Sequence, residues 1–311
     1  MEENFKDESV NAKPYKYKKI LVLINPLAGK KTTNIQSLNL IKDLSQIGGK
    51  ISIYYTKFKK DASRIIKKYA YDYDLVVCCG GDGTFHEVVN GMMCFEKKIP
   101  IGYIPTGTTN DLAKSLNLPK TIHELTALIS KCEPKNHDIG LFNGNEYFSY
   151  VASFGAFSEV SYSTPQKIKN ILGHFAYILT GIGSIKKIRP YHLKINYDGN
   201  VIEDDFIFCA VINSKSIGGV IEISGNDIDL GDGKLEIFLI RNLNNPIDLY
   251  NALKEIKAKE YNKDSIILLH ARNIIIENQK KVPWTLDGEY AGKLKNVNIA
   301  NIHSGIKVIK N

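Results

Sequence analysis

VVCCGGDGTFHEVVNG, from Val76 to Gly91, decides how this chain is read. An apolar, β-forming run stops at two adjacent glycines; an acid, a third glycine and a threonine then lead into a helical pattern. In an open α/β sheet, ligands bind outside the carboxyl ends of the strands. Gly80-Gly81-Asp82-Gly83-Thr84 stands at such an end. Glycines permit positive φ and close approach of backbone to a ligand. The helix that follows offers N–H groups and the positive end of its dipole to an anion. Thr84 is placed to cap that helix or to bond a phosphate oxygen. Asp82 beside a phosphate calls for a metal or a donor group. The pattern is neither GxxxxGK[ST] nor GxGxxG, and a strand-to-helix turn without a ligand is the plain alternative.

Two further loops repeat the arrangement. Asn25-Pro26-Leu27-Ala28-Gly29-Lys30 follows a strand and precedes a helix, and Ile104-Pro105-Thr106-Gly107-Thr108-Thr109-Asn110-Asp111 does the same. Each alone reads as a turn. Three polar, glycine-bearing loops at the carboxyl ends of one sheet can converge on one ligand, and their hydroxyls, amides and N–H groups suit a nucleotide.

Around these loops, Lys18–Pro26, Ile51–Thr56, Asp74–Cys79 and Ile99–Pro105 read as strands. Thr32–Gly49, stopped by its glycine pair, Asp61–Tyr71, Thr84–Met93 and Thr109–Asn117 read as helices. That alternation predicts an open parallel α/β sheet. From Asp138 to about Val297 the pattern turns to strands: Glu146–Gly155, His192–Asp198, Asp204–Ser214, Lys234–Ile240, Ser265–Ala271 and Asn273–Asn278. Turns such as YDGN and LGDGK separate them, which predicts an antiparallel β domain. Ile247–Tyr261 reads as a helix within it, and Thr164–Ile185 as a helical insertion.

Composition narrows the partners. The chain has 311 residues and a formal net charge of +8, from 41 Lys and Arg against 33 Asp and Glu. Such a surface suits nucleotide phosphates, nucleic acid or an acidic membrane face, or lysine is simply the surface filler. No arginine-rich tract, zinc finger or RNP signature is present, so nucleic acid is not expected. No apolar run is long enough to span a bilayer, and the first 16 residues read as a flexible extension rather than a secretory signal. Five dispersed cysteines without a CxxC fit reduced cytoplasmic thiols. His86-Glu87 begins an HExxH pattern, but Asn90 breaks it.

The sequence resembles the diacylglycerol kinase catalytic-domain family, close to soluble bacterial lipid kinases and related to sphingosine kinases. The resemblance covers Lys18 to nearly the C-terminus. It rests on NPLAGK, GGDGTFHEVVNG, IPTGTTNDLA, His137-Asp138-Ile139-Gly140, Leu172–Tyr177, Val211–Gly219, Asp229–Ile237 and Leu286–Tyr290. GGDGT is shared with NAD kinases and phosphofructokinases; FHEVVNG and the later LDGE make the match specific. The resemblance implies a nucleotide-binding α/β domain, a β-sandwich-like second domain and an active site in the cleft between them. It also implies that a last strand near Asn301–Ile309 returns to the first domain. The domains are then residues 17–137 with about 298–311, and residues 138–297. By the family pattern, Asn25, Thr56, Gly80, Gly81, Asp82, Gly83, Thr84, Thr106, Gly107, Thr108 and Asn110 hold ATP.

Phosphoryl transfer needs in-line positioning, charge neutralisation by Mg²⁺ and an acceptor for the hydroxyl proton. Asp287-Gly288-Glu289 meets the last need, although Asp-Gly is also a common hairpin turn. With the family pattern, Glu289 is the expected base, Asp287 its helper or a Mg²⁺-linked ligand, and Asp82 the contributor from the other domain. Asp229, Asp232 and Lys234 mark the turn where family members carry a structural Mg²⁺. This chain has Gly231-Asp232 where two adjacent acids are usual, and a plain turn is the alternative. The helical insertion reads as a core helix, or as a lipid entrance with Lys167, Lys169, Lys186 and Lys187 toward headgroups. The expected function is ATP-dependent phosphorylation of diacylglycerol or a related lipid. The expected setting is cytoplasmic, with transient contact to the membrane that presents the lipid. A homodimer is left open. The alternatives are a NAD kinase-like phosphotransferase and a non-catalytic nucleotide-binding regulator.

Overall fold

The computed structural model describes residues 16–29, 34–108, 110–155, 190–217, 221–223, 229–243 and 245–311. The N-terminal extension, Lys30, Thr109, the insertion Thr164–Ile185 with Lys167 and Lys169, the following Lys186 and Lys187, Gly218-Gly219 and Ser224-Gly225 lie outside them.

The first half runs β1 (Tyr17–Ile24), α1 (Asn34–Ser45), β2 (Gly48–Tyr55), α2 (Asp61–Tyr69), β3 (Leu75–Gly80), α3 (Asp82–Met92), β4 (Pro100–Pro105), α4 (Asp111–Ser115) and α5 (Ile122–Lys131). β1 pairs in parallel with β2 and β3, and β3 in parallel with β4. Successive residues of β1 and β3 go to opposite faces. Leu21, Leu23, Val76 and Cys78 pack with Ile65, Ile66, Phe85, Val88 and Val89 of α2 and α3. Val22, Ile24, Val77 and Cys79 pack with Leu40, Leu44, Leu125 and Ile129 of α1 and α5. A strand covered by helices on both faces must be apolar throughout, which is why LVVCCG is unbroken.

Three local expectations are corrected. Gly48-Gly49 opens β2 instead of ending α1, because a Cβ at Gly48 would lie 2.2 Å from Ile20 Cδ1 and only glycine fits there. Helix α3 begins at Asp82, two residues early, with Gly81 at the N-cap and no side-chain cap. Thr84 therefore does not cap it. Helix α5 has no counterpart in the sequence reading, although Thr121 and Glu124 form a capping box at its start.

The second half runs β5 (Pro134–Phe142), β6 (Glu146–Phe148), β7 (Val151–Gly155), β8 (Tyr191–Tyr197), β9 (Asn200–Ile212), the two-residue strands β10 (Ser216–Ile217) and β11 (Ile221–Glu222), β12 (Leu235–Arg241), α6 (Pro246–Ala258), β13 (Ile266–Ala271), β14 (Asn273–Leu286) and β15 (Glu289–Ile309). Among the described residues, every pairing within β5 to β15 is antiparallel. The core of this half gathers around Trp284, whose ring lies 5.3 Å from Phe142 and 4.7 Å from Phe154. Truncating a buried aromatic of this kind costs about 3–5 kcal/mol, so β14 is firmly held three residues before Asp287.

Strand β15 joins the halves. It pairs with β14 from Glu289 to Ala300, with β5 from Ile299 to Ile309, and in parallel with β4 through Lys307 and Val308. Its register against β5 shifts between Ile302 and Ile306, where Ser304 adopts φ 53°. Hydrogen bonding is consequently continuous through one sheet, 13-stranded among the described residues.

Candidate active site

Each polar loop starts where a parallel strand runs out. Asn25 N–H donates to Cys79 O, Thr56 N–H to Ile24 O and Thr106 N–H to Gly80 O, each at 2.9 Å. These bonds extend the sheet by one residue and set three loops side by side. The glycines let the loops touch. A Cβ at Gly107 would lie 2.6 Å from Gly81 Cα, and one at Gly29, where φ is +68°, would lie 1.9 Å from Thr106 O. Asn25 Nδ2 donates to Thr84 Oγ1 at 2.8 Å, tying the first loop to α3.

A pocket of about 490 Å³ lies over these loops, lined by Asn25, Leu27, Ala28, Thr56, Lys57, Phe58, Lys59, Gly81, Gly83, Thr84, Glu87, Gly107 and Glu289. Glu289 comes from the opposite half of the chain. Its Oε1 lies 3.1 Å from where a Cβ on Gly83 would be, and its Oε2 accepts from Lys59 Nζ at 2.8 Å. The Lys59 and Glu289 side chains are 71% and 43% exposed, and an ion pair this open to water contributes about 0–1 kcal/mol.

Asp287 and Gly288, with φ 49° and 83°, form the two-residue turn between β14 and β15. Positive φ at both central positions is the type I′ hairpin that Asp-Gly favours. The hairpin reading and the functional reading are therefore the same feature. Asp287 is buried, and both its oxygens are in use. Oδ1 accepts from the N–H groups of Tyr150 and Val151, and Oδ2 from Ser149 N–H, Ser149 Oγ and, at 2.9 Å, His86 Nδ1. Those amides lie at the break between β6 and β7, where the sequence predicted one continuous strand. Burial alone would lower the His86 pKa, but the hydrogen bond and charge of Asp287, with Glu146 and Glu289 beyond, hold it above the ordinary value.

Asp82 Oδ2 accepts from Asp111 N–H at 3.0 Å and Oδ1 from Leu112 N–H at 3.4 Å, holding the first turn of α4. Burial raises its pKa to about 6, against the lowering by those two N–H groups, with the charges of Asp111 and Asp287 adding to the rise. Thr106 Oγ1 and Asn110 Oδ1 are buried and find no hydrogen-bond partner among the described residues. Orphaned buried oxygens are costly, and these two lie outside the lining of the pocket.

Residues 19–142 match the diacylglycerol kinase catalytic domain, and residues 151–305 the YegS C-terminal NAD kinase beta sandwich-like domain. A diacylglycerol kinase of Bacillus subtilis (strain 168) is 30% identical over 294 residues, 94% of this chain and 96% of that one. The chain belongs to the diacylglycerol kinase family. Its activity class is that of a lipid kinase. A diacylglycerol kinase of Staphylococcus aureus (strain bovine RF122 / ET3-1) is 30% identical over 94% of this chain and 92% of its own. The crystal structure of a diacylglycerol kinase from Bacillus anthracis (strain Sterne) superposes with a TM-score of 0.75 over 96% of this chain and 98% of that one, at 26% identity.

Within this family member, the expected nucleotide residues separate into two groups. Asn25, Thr56, Gly81, Gly83, Thr84 and Gly107 line the pocket. Gly80, Asp82, Thr106, Thr108 and Asn110 do not. Gly80 is buried under Thr84, 2.5 Å from where its Cβ would be, and Asn110 Nδ2 donates to Gly107 O within the loop. Lys59, Lys57 and Phe58 escaped the sequence reading; the signal was the run Lys57-Phe58-Lys59-Lys60 directly after a strand that ends at the pocket. His86 was weighed only as a zinc ligand.

The turn at Asp229, Asp232 and Lys234 closes on itself. Asp229 Oδ1 accepts from Gly231 N–H and Asp232 Oδ1 from Lys234 N–H. No group of three His, Cys, Asp or Glu side chains able to hold a metal occurs among the described residues. These side chains do not by themselves fit a structural cation, and no step below uses one there. No helix of the described residues is long and apolar enough to cross a membrane.

Proposed function

We propose that this chain transfers the γ-phosphoryl group of ATP to the hydroxyl of diacylglycerol, giving phosphatidic acid. The active site is the cleft between an open parallel α/β half, residues 17–137 with 298–311, and a β-rich lipid-binding half, residues 138–297. The supporting observation is that Glu289, from the second half, reaches into the same pocket as the glycine loops of the first.

In this reading the loops around Gly81, Gly83 and Gly107, with Asn25, Thr56 and Thr84, take the nucleotide. Glu289 accepts the hydroxyl proton as the lipid oxygen bonds to the γ-phosphorus and ADP leaves with the electron pair of the broken bond. Asp287 is a positioning residue, since its fully bonded carboxylate fixes the turn that aims Glu289. Asp82 fixes α4 and the Thr106–Asn110 loop. Asp82 is the candidate carboxylate to hold the Mg²⁺ of Mg-ATP, which would supply charge neutralisation.

The lipid stays in its membrane, and the enzyme docks there transiently through a surface of net charge +8. An assay of the purified protein with Mg-ATP and a panel of diacylglycerols, sphingoid bases and related lipids tests the proposal. Phosphorylated diacylglycerol is expected, and labelled product from no lipid in the panel removes it. Turnover of NAD instead would reassign the acceptor.

A further inference from the structure

We propose that Lys59 is the side chain that takes hold of the γ-phosphate of ATP, and that its ion pair with Glu289 is the resting position from which it is drawn. This deepens the kinase function proposed above and rests on it.

The geometry carries the assignment. The Glu289 carboxylate lies between two features that attract anions. One oxygen is 2.8 Å from Lys59 Nζ, and the other is 3.1 Å from the Cβ position of Gly83, in the first turn of α3. A base must stand within hydrogen-bond reach of the hydroxyl that attacks phosphorus. The cation beside the base is therefore beside the γ-phosphate. Lys57 also lines the pocket, but Lys59 is the lysine bonded to Glu289.

The loop that carries Lys59 is fixed on both sides. Lys57 N–H donates to Asp61 Oδ2 at 2.8 Å, while Lys60 and Ala62 N–H donate to the Glu87 carboxylate at 2.7 and 3.1 Å. Lys60 holds a left-handed φ of 68°. The backbone is pinned while the Lys59 side chain is largely in water, so the ammonium can swing from a fixed root. Its exposed bond to one carboxylate is weak, and a terminal phosphate with greater charge outcompetes it. The hydrogen bond to Glu289 and that group's charge also keep the Lys59 pKa above its ordinary value, so the ammonium persists through the neutral range.

The charge balance closes during transfer. The hydroxyl proton goes to Glu289, whose charge is lost. The new bond joins the lipid oxygen to phosphorus, and the bond to the β–γ bridging oxygen breaks with its pair on ADP. Lys59 gives up no proton; its partner changes from the carboxylate to the phosphoryl oxygens.

The test compares Lys59→Met and Lys59→Arg with the wild type in calorimetric binding of ADP and of the non-hydrolysable AMP-PNP, both with Mg²⁺, and in lipid turnover. Lys59→Met is expected to lose 10-fold or more in AMP-PNP affinity, to bind ADP within 2-fold of wild type and to lose 10-fold or more in kcat. Lys59→Arg should recover part of both losses. Unchanged AMP-PNP binding and kcat in Lys59→Met overturn the proposal, as does an equal loss for AMP-PNP and ADP. The two nucleotides are compared without any acceptor, so failure of the diacylglycerol assignment in the wild type is read separately.

Discussion

His86 Nδ1 lies 2.9 Å from Asp287 Oδ2, so the helix that follows the glycine loop and the hairpin tip that carries Glu289 share one buried polar contact across 201 residues of chain. The glycine loop and Glu289 are thereby held in a common frame. A second tie runs beside it: Asn90 Nδ2 donates to Tyr147 O and Tyr147 N–H donates to Asn90 Oδ1.

The contact predicts a pH signature. His86 titrates above its ordinary value near 6.5. A raised pKa stabilises the fold fully below that ordinary value, and the contribution disappears as pH rises through the raised one. In urea unfolding from pH 6 to 9, the stability gap between wild type and His86→Gln is expected to narrow as pH rises. A gap that is constant or widens would refute the pairing.

Asp82 gives a prediction that can be sized. Its folded pKa of about 6 stands above the usual 3.8, so the fold is favoured below pH 4 and loses that advantage as pH climbs through 6. A shift of about two units corresponds to about 2–3 kcal/mol. Between pH 4 and 7, Asp82→Asn should gain about that much stability relative to wild type while losing most lipid turnover. Parallel stability curves for the two proteins would mean that Asp82 is not strained.

Glu289→Gln keeps the shape of a half-exposed side chain and removes the carboxylate proposed as the proton acceptor. Loss of a general base costs about 10²–10⁴-fold in rate. The expected result is that loss in kcat with the melting temperature and ADP affinity preserved. Full activity would pass the base role to another group.

Gly107→Ala tests the contact between the loops. Its methyl group would sit 2.6 Å from Gly81 Cα, and backbone on both sides must move. Overpacking of this kind costs about 1–3 kcal/mol. Weaker nucleotide binding should accompany the lower melting temperature, and a variant that binds ADP normally would show the loops to be independent.

The strands and the glycine loops were legible because their signals are local: apolar runs covered on both faces, and glycines where the backbone must approach another group. Gly48-Gly49 misled because its reason is Ile20, a residue on another strand. The break between Phe148 and Val151 was invisible for a similar reason. The amides of Ser149, Tyr150 and Val151 leave the strand pattern to bind Asp287, which stands more than 130 residues later. Asp287 was read as a helper to Glu289 or a Mg²⁺-linked ligand; the five donors that occupy it come from Ser149, Tyr150, Val151 and His86 and have no sequence signal. Lys59 was missed because one lysine among the charged residues of this chain has no signature until Glu289 is beside it.

The final strand has a consequence for synthesis. The free edge of β4 meets its parallel neighbour only at Lys307 and Val308, so a ribosome that has finished the glycine loops has delivered a catalytic platform with one flank still bare. Emergence of an active enzyme must wait until Lys307 and Val308 have been made, and removing the segment that carries them would injure the nucleotide site from a distance.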